Sequence, residues 1–126
     1  MLLAEDEEGV RQLAIESLER RGYRVLAAAS GEEALKLSSA YEGTIHLLLT
    51  DVVMPGIKGP ELADRMRAMR PGIRVLLMSG YAADVVTPGD LTNAVRLSKP
   101  FAPSALVTAV RASLDVPLSS SPASQG

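Results

Sequence analysis

The sequence predicts an α/β fold in which helices cover both faces of a parallel sheet. Short apolar runs alternate along the chain with segments whose apolar residues recur at helical spacing. The apolar runs contain few polar residues, which is typical of parallel strands that are buried on both faces. The length of 126 residues suits one domain. These observations together predict five strand–helix units in a doubly wound sheet.

Three strands and two helices are predicted in the first half of the chain. The first helix rests on apolar residues at helical spacing and on Gly22 as its stop signal. The second helix begins at a capping box, in which the Ser30 hydroxyl and the Glu33 carboxylate are expected to satisfy each other's exposed backbone N–H groups. The predicted strands cover residues 2–4, 23–28 and 45–50, and the helices cover residues 9–21 and 30–41.

Two more strands and two more regular helices are predicted in the second half. Prolines suit the first turn of both helices, and Pro71-Gly72 ends the earlier one. A Pro-Gly pair interrupts residues 82–93, so the fourth of the five helices is expected to be short or irregular. A Ser- and Pro-rich segment, residues 116–126, is expected to be a disordered tail after a domain of residues 1–115. The strands cover residues 73–78 and 94–98, and the helices begin at residues 60 and 103.

Composition and charge exclude several classes of protein. The chain has no cysteine, which excludes disulfides and thiolate metal sites and fits a cytoplasmic location. Its formal net charge of −2 lacks the basic excess of a nucleic-acid-binding domain. Its apolar runs are too short to cross a membrane. Its first residues turn acidic at once, which does not indicate a signal peptide.

Polar side chains follow four of the predicted strands at the points where these strands end. Glu5 and Asp6 follow the first strand, and Asp51 follows the third. Ser79 follows the fourth strand and Lys99 the fifth. The carboxyl ends of parallel strands meet at one edge of an open α/β sheet, where ligands bind. We therefore expect three carboxylates, a hydroxyl and an amine to converge there.

This set of side chains indicates phosphoryl transfer to a carboxylate. Three carboxylates in one pocket repel one another, and a divalent cation relieves the repulsion. Oxygen ligands without His or Cys favour Mg²⁺. A carboxylate can attack a phosphoryl group and form an aspartyl phosphate. Mg²⁺, an ammonium group and a hydroxyl can then stabilise the phosphoryl oxygens.

Four stretches of the sequence resemble the receiver domains of bacterial response regulators and hybrid histidine kinases. They are Ala-Glu-Asp-Glu at 4–7, Leu-Thr-Asp-Val-Val-Met-Pro-Gly at 49–56, Leu-Met-Ser-Gly-Tyr at 77–81 and Ser-Lys-Pro-Phe at 98–101. The resemblance covers roughly residues 2–115, and the last two stretches are similar to the C-terminal receivers of hybrid kinases. It implies a flavodoxin-like fold whose five-stranded sheet has the order 2-1-3-4-5.

The resemblance also implies roles for individual residues. Asp51 is expected to be the phosphoacceptor, Lys99 to contact the phosphoryl group and Ser79 to be a conformational switch. A cis peptide bond is expected between Lys99 and Pro100. The expected Mg²⁺ site consists of Asp6 as a direct ligand, Glu5 acting through water, Asp51 and the backbone carbonyl of Val53.

Two positions depart from the usual receiver pattern. Arg96 stands three residues before the site lysine, where many receivers carry the Tyr or Phe that swings inward on phosphorylation. Tyr81 is a candidate for part of that switch. Val53 puts an apolar side chain beside the expected phosphoryl site. Because valine cannot orient an attacking water, this position predicts slow self-dephosphorylation.

The implied function is that of a phosphoacceptor in a two-component phosphorelay, which assists its own phosphorylation and dephosphorylation but is not an enzyme for external substrates. The expected partner is a sensor histidine kinase or a histidine phosphotransfer domain, and a homodimer is compatible with the sequence. No direct nucleic-acid contact or membrane insertion is expected. Two alternatives stay open, a Mg²⁺-dependent phosphohydrolase with an Asp nucleophile and an interaction module that works without phosphorylation. A free-standing regulator and a receiver excised from a hybrid kinase also both stay open.

Overall fold

The computed structural model describes residues 1–79 and 95–115 and confirms the predicted α/β fold. Five parallel strands form one sheet in the expected order, β2-β1-β3-β4-β5. The elements along the chain are β1 (Leu2–Ala4), α1 (Glu8–Glu19), β2 (Leu26–Ala28), α2 (Gly31–Ala40), β3 (Leu47–Asp51), α3 (Gly59–Met69), β4 (Arg74–Ser79), β5 (Val95–Ser98) and α4 (Pro103–Asp115).

The apolar strands separate two cores, one on each face of the sheet. Consecutive strand residues point to opposite faces, so Leu48 packs with α2 and α3 in one core. Its neighbours Leu47 and Leu49 pack with α1 and α4 in the other core. This arrangement explains why the central strands are apolar at nearly every position, as the sequence indicated.

Several strand boundaries differ from the prediction. The predicted second strand began at Tyr23, but β2 begins at Leu26. The backbone N–H of Tyr23 donates instead to the Leu18 carbonyl oxygen, at 3.1 Å, in the turn that ends α1. Asp51 and Ser79 were expected just after their strands, but each is the last residue of its strand. The backbone hydrogen bonds of the sheet therefore hold both residues.

One of the two predicted hydrogen bonds of the capping box at the start of α2 is confirmed. The Ser30 hydroxyl accepts the backbone N–H of Glu33 at 3.1 Å, which is the expected cap. The Glu33 carboxylate accepts the backbone N–H of Ala29 at 2.7 Å, not that of Ser30. The carboxylate therefore fixes the residue before the cap.

Arg70, at the end of α3, binds the carboxyl end of α2. Its guanidinium donates to the Ser38 hydroxyl and to the carbonyl oxygens of Ser38, Tyr41 and Gly43, at 2.7–2.9 Å. A cation at this position satisfies carbonyl groups that a helix end leaves without partners. No sequence motif indicates this contact, which links residues 27 to 32 positions apart.

One further expectation is confirmed, and three concern residues outside the described part of the chain. The peptide bond between Lys99 and Pro100 is cis, as expected. The short fourth helix, Tyr81 and the tail at residues 116–126 all lie outside the described residues. Within the described part of the chain, none of the helices has the length and apolarity that a bilayer crossing requires.

Candidate functional site

Glu5, Asp51 and Lys99 meet at the carboxyl edge of the sheet. Glu5 directly follows β1, Asp51 ends β3, and Lys99 directly follows β5. The Lys99 Nζ atom lies 2.9 Å from Asp51 Oδ1 and 3.1 Å from Glu5 Oε1. The parallel strands thus bring together side chains that are 48 and 94 positions apart in the sequence.

Hydrogen bonds with Glu7 and Arg11 hold Glu5 at the base of this site. Its side chain is fully buried, and its Oε2 atom accepts the backbone N–H of Glu7 at 2.9 Å. The Arg11 guanidinium donates to the backbone carbonyl oxygen of Glu5, also at 2.9 Å. These contacts fix the Glu5 carboxyl group beside Lys99.

Burial and charge make Asp51 hard to ionise. The residue is 3% exposed, and its Oδ2 atom has no hydrogen-bond partner among the residues that the structure describes. Burial, followed by the neighbouring Glu5 carboxyl, raises the pKa of Asp51 to about 8, although Lys99 acts in the opposite direction. The site therefore favours a protonated Asp51 unless it gains more positive charge.

Lys99 stays protonated despite its partial burial. Burial acts to lower its pKa, but hydrogen bonds with Asp51 and Glu5 outweigh that effect and raise the pKa above the ordinary value. The side chain is therefore a fixed ammonium group at any physiological pH, as the stabilisation of phosphoryl oxygens requires.

Three carboxylates of the site can hold a cation. Oxygen atoms of Glu5, Asp6 and Asp51 all lie within 4.8 Å of one another. Carboxylate oxygens this close to one another could share one hard divalent cation, which would relieve their mutual repulsion. The all-oxygen set fits a hard divalent cation, and so does the Oδ2 atom of Asp51, which has no partner in the part of the chain that the structure describes. Asp6 is exposed, which leaves room for the waters that Mg²⁺ retains.

The remaining predicted site residues lie around this cluster. Ser79 ends β4, the neighbour of β3, and its carbonyl oxygen accepts the backbone N–H of Lys99 at 2.8 Å. Val53 lies two residues after Asp51, and its side chain is 54% exposed. Arg96 is exposed on β5, where its backbone lies opposite Leu77.

Two residues near the site were not foreseen from the sequence. The Glu7 carboxylate lies 3.4 Å from Lys99 Nζ, and the acidic run at residues 5–8 was its only signal. Gly59 begins α3 directly against the end of β3, where a Cβ atom would overlap the carbonyl oxygen of Asp51. Its N–H donates to the Val52 carbonyl oxygen at 2.9 Å. A Gly-Pro pair at a helix start was the available signal for this close approach.

Comparison with known proteins shows the family. The sequence-family model named response regulator receiver domain matches residues 1–111 of the chain. The chain is 39% identical over 118 residues to the sensor kinase CckA of Brucella abortus (strain 2308), covering 91% of this chain but only 12% of that protein. It is 37% identical over 103 residues to the response regulator receiver protein CpdR of the same organism, covering 80% of this chain and 84% of that protein.

A solved structure agrees with both the fold and the family. The crystal structure of the receiver domain from the hybrid histidine kinase CckA superposes with a TM-score of 0.76 at 39% identity. The match covers 90% of this chain and 97% of that one. The chain therefore belongs to the response regulator receiver domain family, the phospho-accepting signalling domains of two-component systems.

Proposed function

We propose that Asp51 accepts a phosphoryl group from a phosphohistidine and that the modified domain transmits a signal in a phosphorelay. The main support is the contact between Lys99 Nζ and Asp51 Oδ1, at 2.9 Å, in a buried site. The second oxygen of Asp51 has no partner among the described residues. Such an oxygen is available as a nucleophile, and the adjacent ammonium group is available for the charge of the phosphoryl oxygens.

In the proposed reaction, a carboxylate oxygen of Asp51 attacks the phosphorus atom of the donor. The new O–P bond forms as the N–P bond of phosphohistidine breaks, and the electron pair of that bond stays on the imidazole nitrogen, which takes up a proton. Lys99 remains protonated and binds the phosphoryl oxygens. We assign the hydroxyl of Ser79 to a further hydrogen bond with the phosphoryl group.

We also propose a Mg²⁺ site that consists of Glu5, Asp6, Asp51 and the backbone carbonyl of Val53. When bound, Mg²⁺ would neutralise the carboxylates and part of the charge on the transferred group. The raised pKa of Asp51 supports this assignment, because the carboxylate alone lacks the positive charge that would keep it ionised.

The proposed partner is a sensor histidine kinase or a histidine phosphotransfer domain. It is supported by the likeness to receivers of a sensor kinase and of a hybrid histidine kinase. A cytoplasmic location follows from such a partner and from the lack of cysteine. For the switch, we propose that Ser79 acts with Tyr81, since Arg96 replaces the usual aromatic residue.

The test is phosphorylation by a small donor. Wild-type protein incubated with acetyl phosphate and Mg²⁺ should gain the mass of one phosphoryl group, and Asp51→Asn should gain none. Asp64→Asn is the matched control, because Asp64 is an exposed carboxylate on α3. Uptake by Asp51→Asn equal to that of wild type would refute the assignment of the acceptor.

A second substrate and the same mass measurement separate the two alternative functions. A phosphohydrolase would convert a large excess of p-nitrophenyl phosphate, whereas the proposed receiver takes up at most one phosphoryl group per chain before slow hydrolysis. A module that works without phosphorylation would show no mass gain with any donor.

A further inference from the structure

We propose that Glu7 holds Lys99 before phosphorylation and releases it to the phosphoryl group afterwards. Glu7 is a positioning residue in this scheme, since it contacts the ammonium group and not the reacting oxygen. The proposal rests on the proposed phosphoacceptor role of Asp51 and extends it to the state that precedes phosphorylation.

The first support is the set of contacts that Lys99 makes. An ammonium group has three N–H donors. The Nζ atom of Lys99 is within hydrogen-bond distance of three carboxylates, those of Asp51 at 2.9 Å, Glu5 at 3.1 Å and Glu7 at 3.4 Å. All three donors are therefore engaged, and a phosphoryl oxygen can bind Lys99 only if one carboxylate gives way.

The second support is the position of Glu7 in α1. It occupies the N-cap, where a side chain normally accepts a backbone N–H of the first turn, yet its carboxylate makes no capping hydrogen bond. Its backbone is fixed by the N–H that it donates to Glu5. The Glu7 carboxylate has no capping role, and its contact within the described residues is the one with Lys99.

Burial decides which carboxylate gives way. The side chain of Glu7 is 64% exposed, whereas those of Glu5 and Asp51 are at most 4% exposed. Loss of Lys99 would leave Glu5 or Asp51 without its cationic partner inside a buried site, which is costly. The Glu7 carboxylate can return to water at little cost. Glu7 is therefore the partner that Lys99 exchanges for the phosphoryl group.

Removal of the Glu7 charge should consequently accelerate phosphorylation. In Glu7→Gln, Lys99 has one anionic competitor fewer, and an anionic donor meets less repulsion at the entrance. From the usual strength of exposed ion pairs, we expect a rate increase of roughly two- to fivefold at saturating Mg²⁺. The increase should shrink at high ionic strength, because salt screens exposed charges.

Glu8→Gln is the matched control. Glu8 is the next residue, is also exposed, and makes no side-chain hydrogen bond or ion pair within the described ranges 1–79 and 95–115. It loses the same charge one position away, so an effect of general charge would appear in both variants. An effect through Lys99 would appear in Glu7→Gln alone.

The experiment measures the rate of phosphorylation by acetyl phosphate through intact mass, with the NMR signal of the Lys99 ammonium group as a second readout. The proposal expects a faster rate and a shifted Lys99 signal in Glu7→Gln, with neither change in Glu8→Gln. If wild type is phosphorylated but both variants match it in rate and in Lys99 signal, this proposal alone is overturned. If wild type takes up no phosphoryl group, the proposed function fails and this proposal fails with it.

Discussion

At the scale of single residues, the site depends on how charge is distributed around Asp51. Its carboxyl group is buried beside a second buried carboxyl, Glu5, and within residues 1–79 and 95–115 Lys99 is the cation that contacts both. Two carboxyl groups beside one ammonium group in a buried site leave a deficit of positive charge. The same deficit that raises the pKa of Asp51 makes the site receptive to a divalent cation.

This deficit predicts a pH dependence of stability. The pKa of Asp51 is about 8 in the folded domain and near 3.8 as its ordinary value, so the folded state holds an extra proton between those pH values. The resulting stability is fully present below about pH 4 and is lost as the pH rises through about 8. Without divalent metal, wild type should lose on the order of 1–3 kcal/mol more than Asp51→Asn between about pH 5 and about pH 9.

Urea unfolding at several pH values measures this difference. Added Mg²⁺ should restore the stability of wild type at the alkaline end and have little effect on Asp51→Asn. Parallel pH profiles of the two proteins in the absence of metal would contradict the account of Asp51.

Val53 predicts the lifetime of the phosphorylated state. Its side chain is exposed next to the site and cannot form a hydrogen bond with water. In Val53→Asn, an amide that orients the attacking water should shorten the phosphoryl half-life by roughly two- to tenfold, the worth of one hydrogen bond of about 0.5–1.5 kcal/mol. Val53→Ala is the control for lost shielding, and decay of the mass adduct gives the rates. A half-life in Val53→Asn that is unchanged or longer would count against this role.

At the scale of elements, α3 is fixed at both of its ends. Its first residue, Gly59, packs against the backbone of Asp51 at the carboxyl edge of the sheet. Arg70, at its other end, binds the carbonyl oxygens at the end of α2. The helix is therefore held in a fixed position next to the acceptor residue. Its close approach to β3 is possible because Gly59 has no side chain.

Replacement of Gly59 by alanine should disturb both stability and the site. A Cβ atom there would overlap the Asp51 carbonyl oxygen and lie 3.0 Å from the Val52 Cα atom, and neither backbone atom can move freely. We expect Gly59→Ala to lower the free energy of unfolding by about 1–3 kcal/mol and to slow phosphorylation.

Gly9→Ala is the control within α1, since a Cβ atom at Gly9 would have no neighbour within 4 Å. It should be neutral or stabilising by up to about 1 kcal/mol, because alanine favours the helix. Thermal unfolding and the rate of phosphorylation of both variants would test this pair. Equal stabilities would contradict the proposed close packing of α3 on β3.

At the scale of the whole molecule, much of the fold could be predicted from the sequence. Buried parallel strands are apolar on both faces, and their polar end residues mark the site edge, so the sheet and the convergence of Glu5, Asp51 and Lys99 could be predicted. The contacts of Glu7 and Arg70 could not, because they depend on side-chain positions that only the assembled fold determines. The start of β2 was also missed, since the end of α1 binds the N–H group of Tyr23.

The contact between Lys99 and Glu5 has a consequence for how a cell makes this domain. Lys99 lies 94 positions after Glu5 and 48 positions after Asp51, so the ribosome releases both carboxyl groups well before the lysine that completes their surroundings. A nascent or truncated copy that ends before residue 99 lacks that ammonium group altogether. On the proposed function, such a copy lacks the group that binds the phosphoryl oxygens, so we expect it to take up phosphate more slowly than the finished domain.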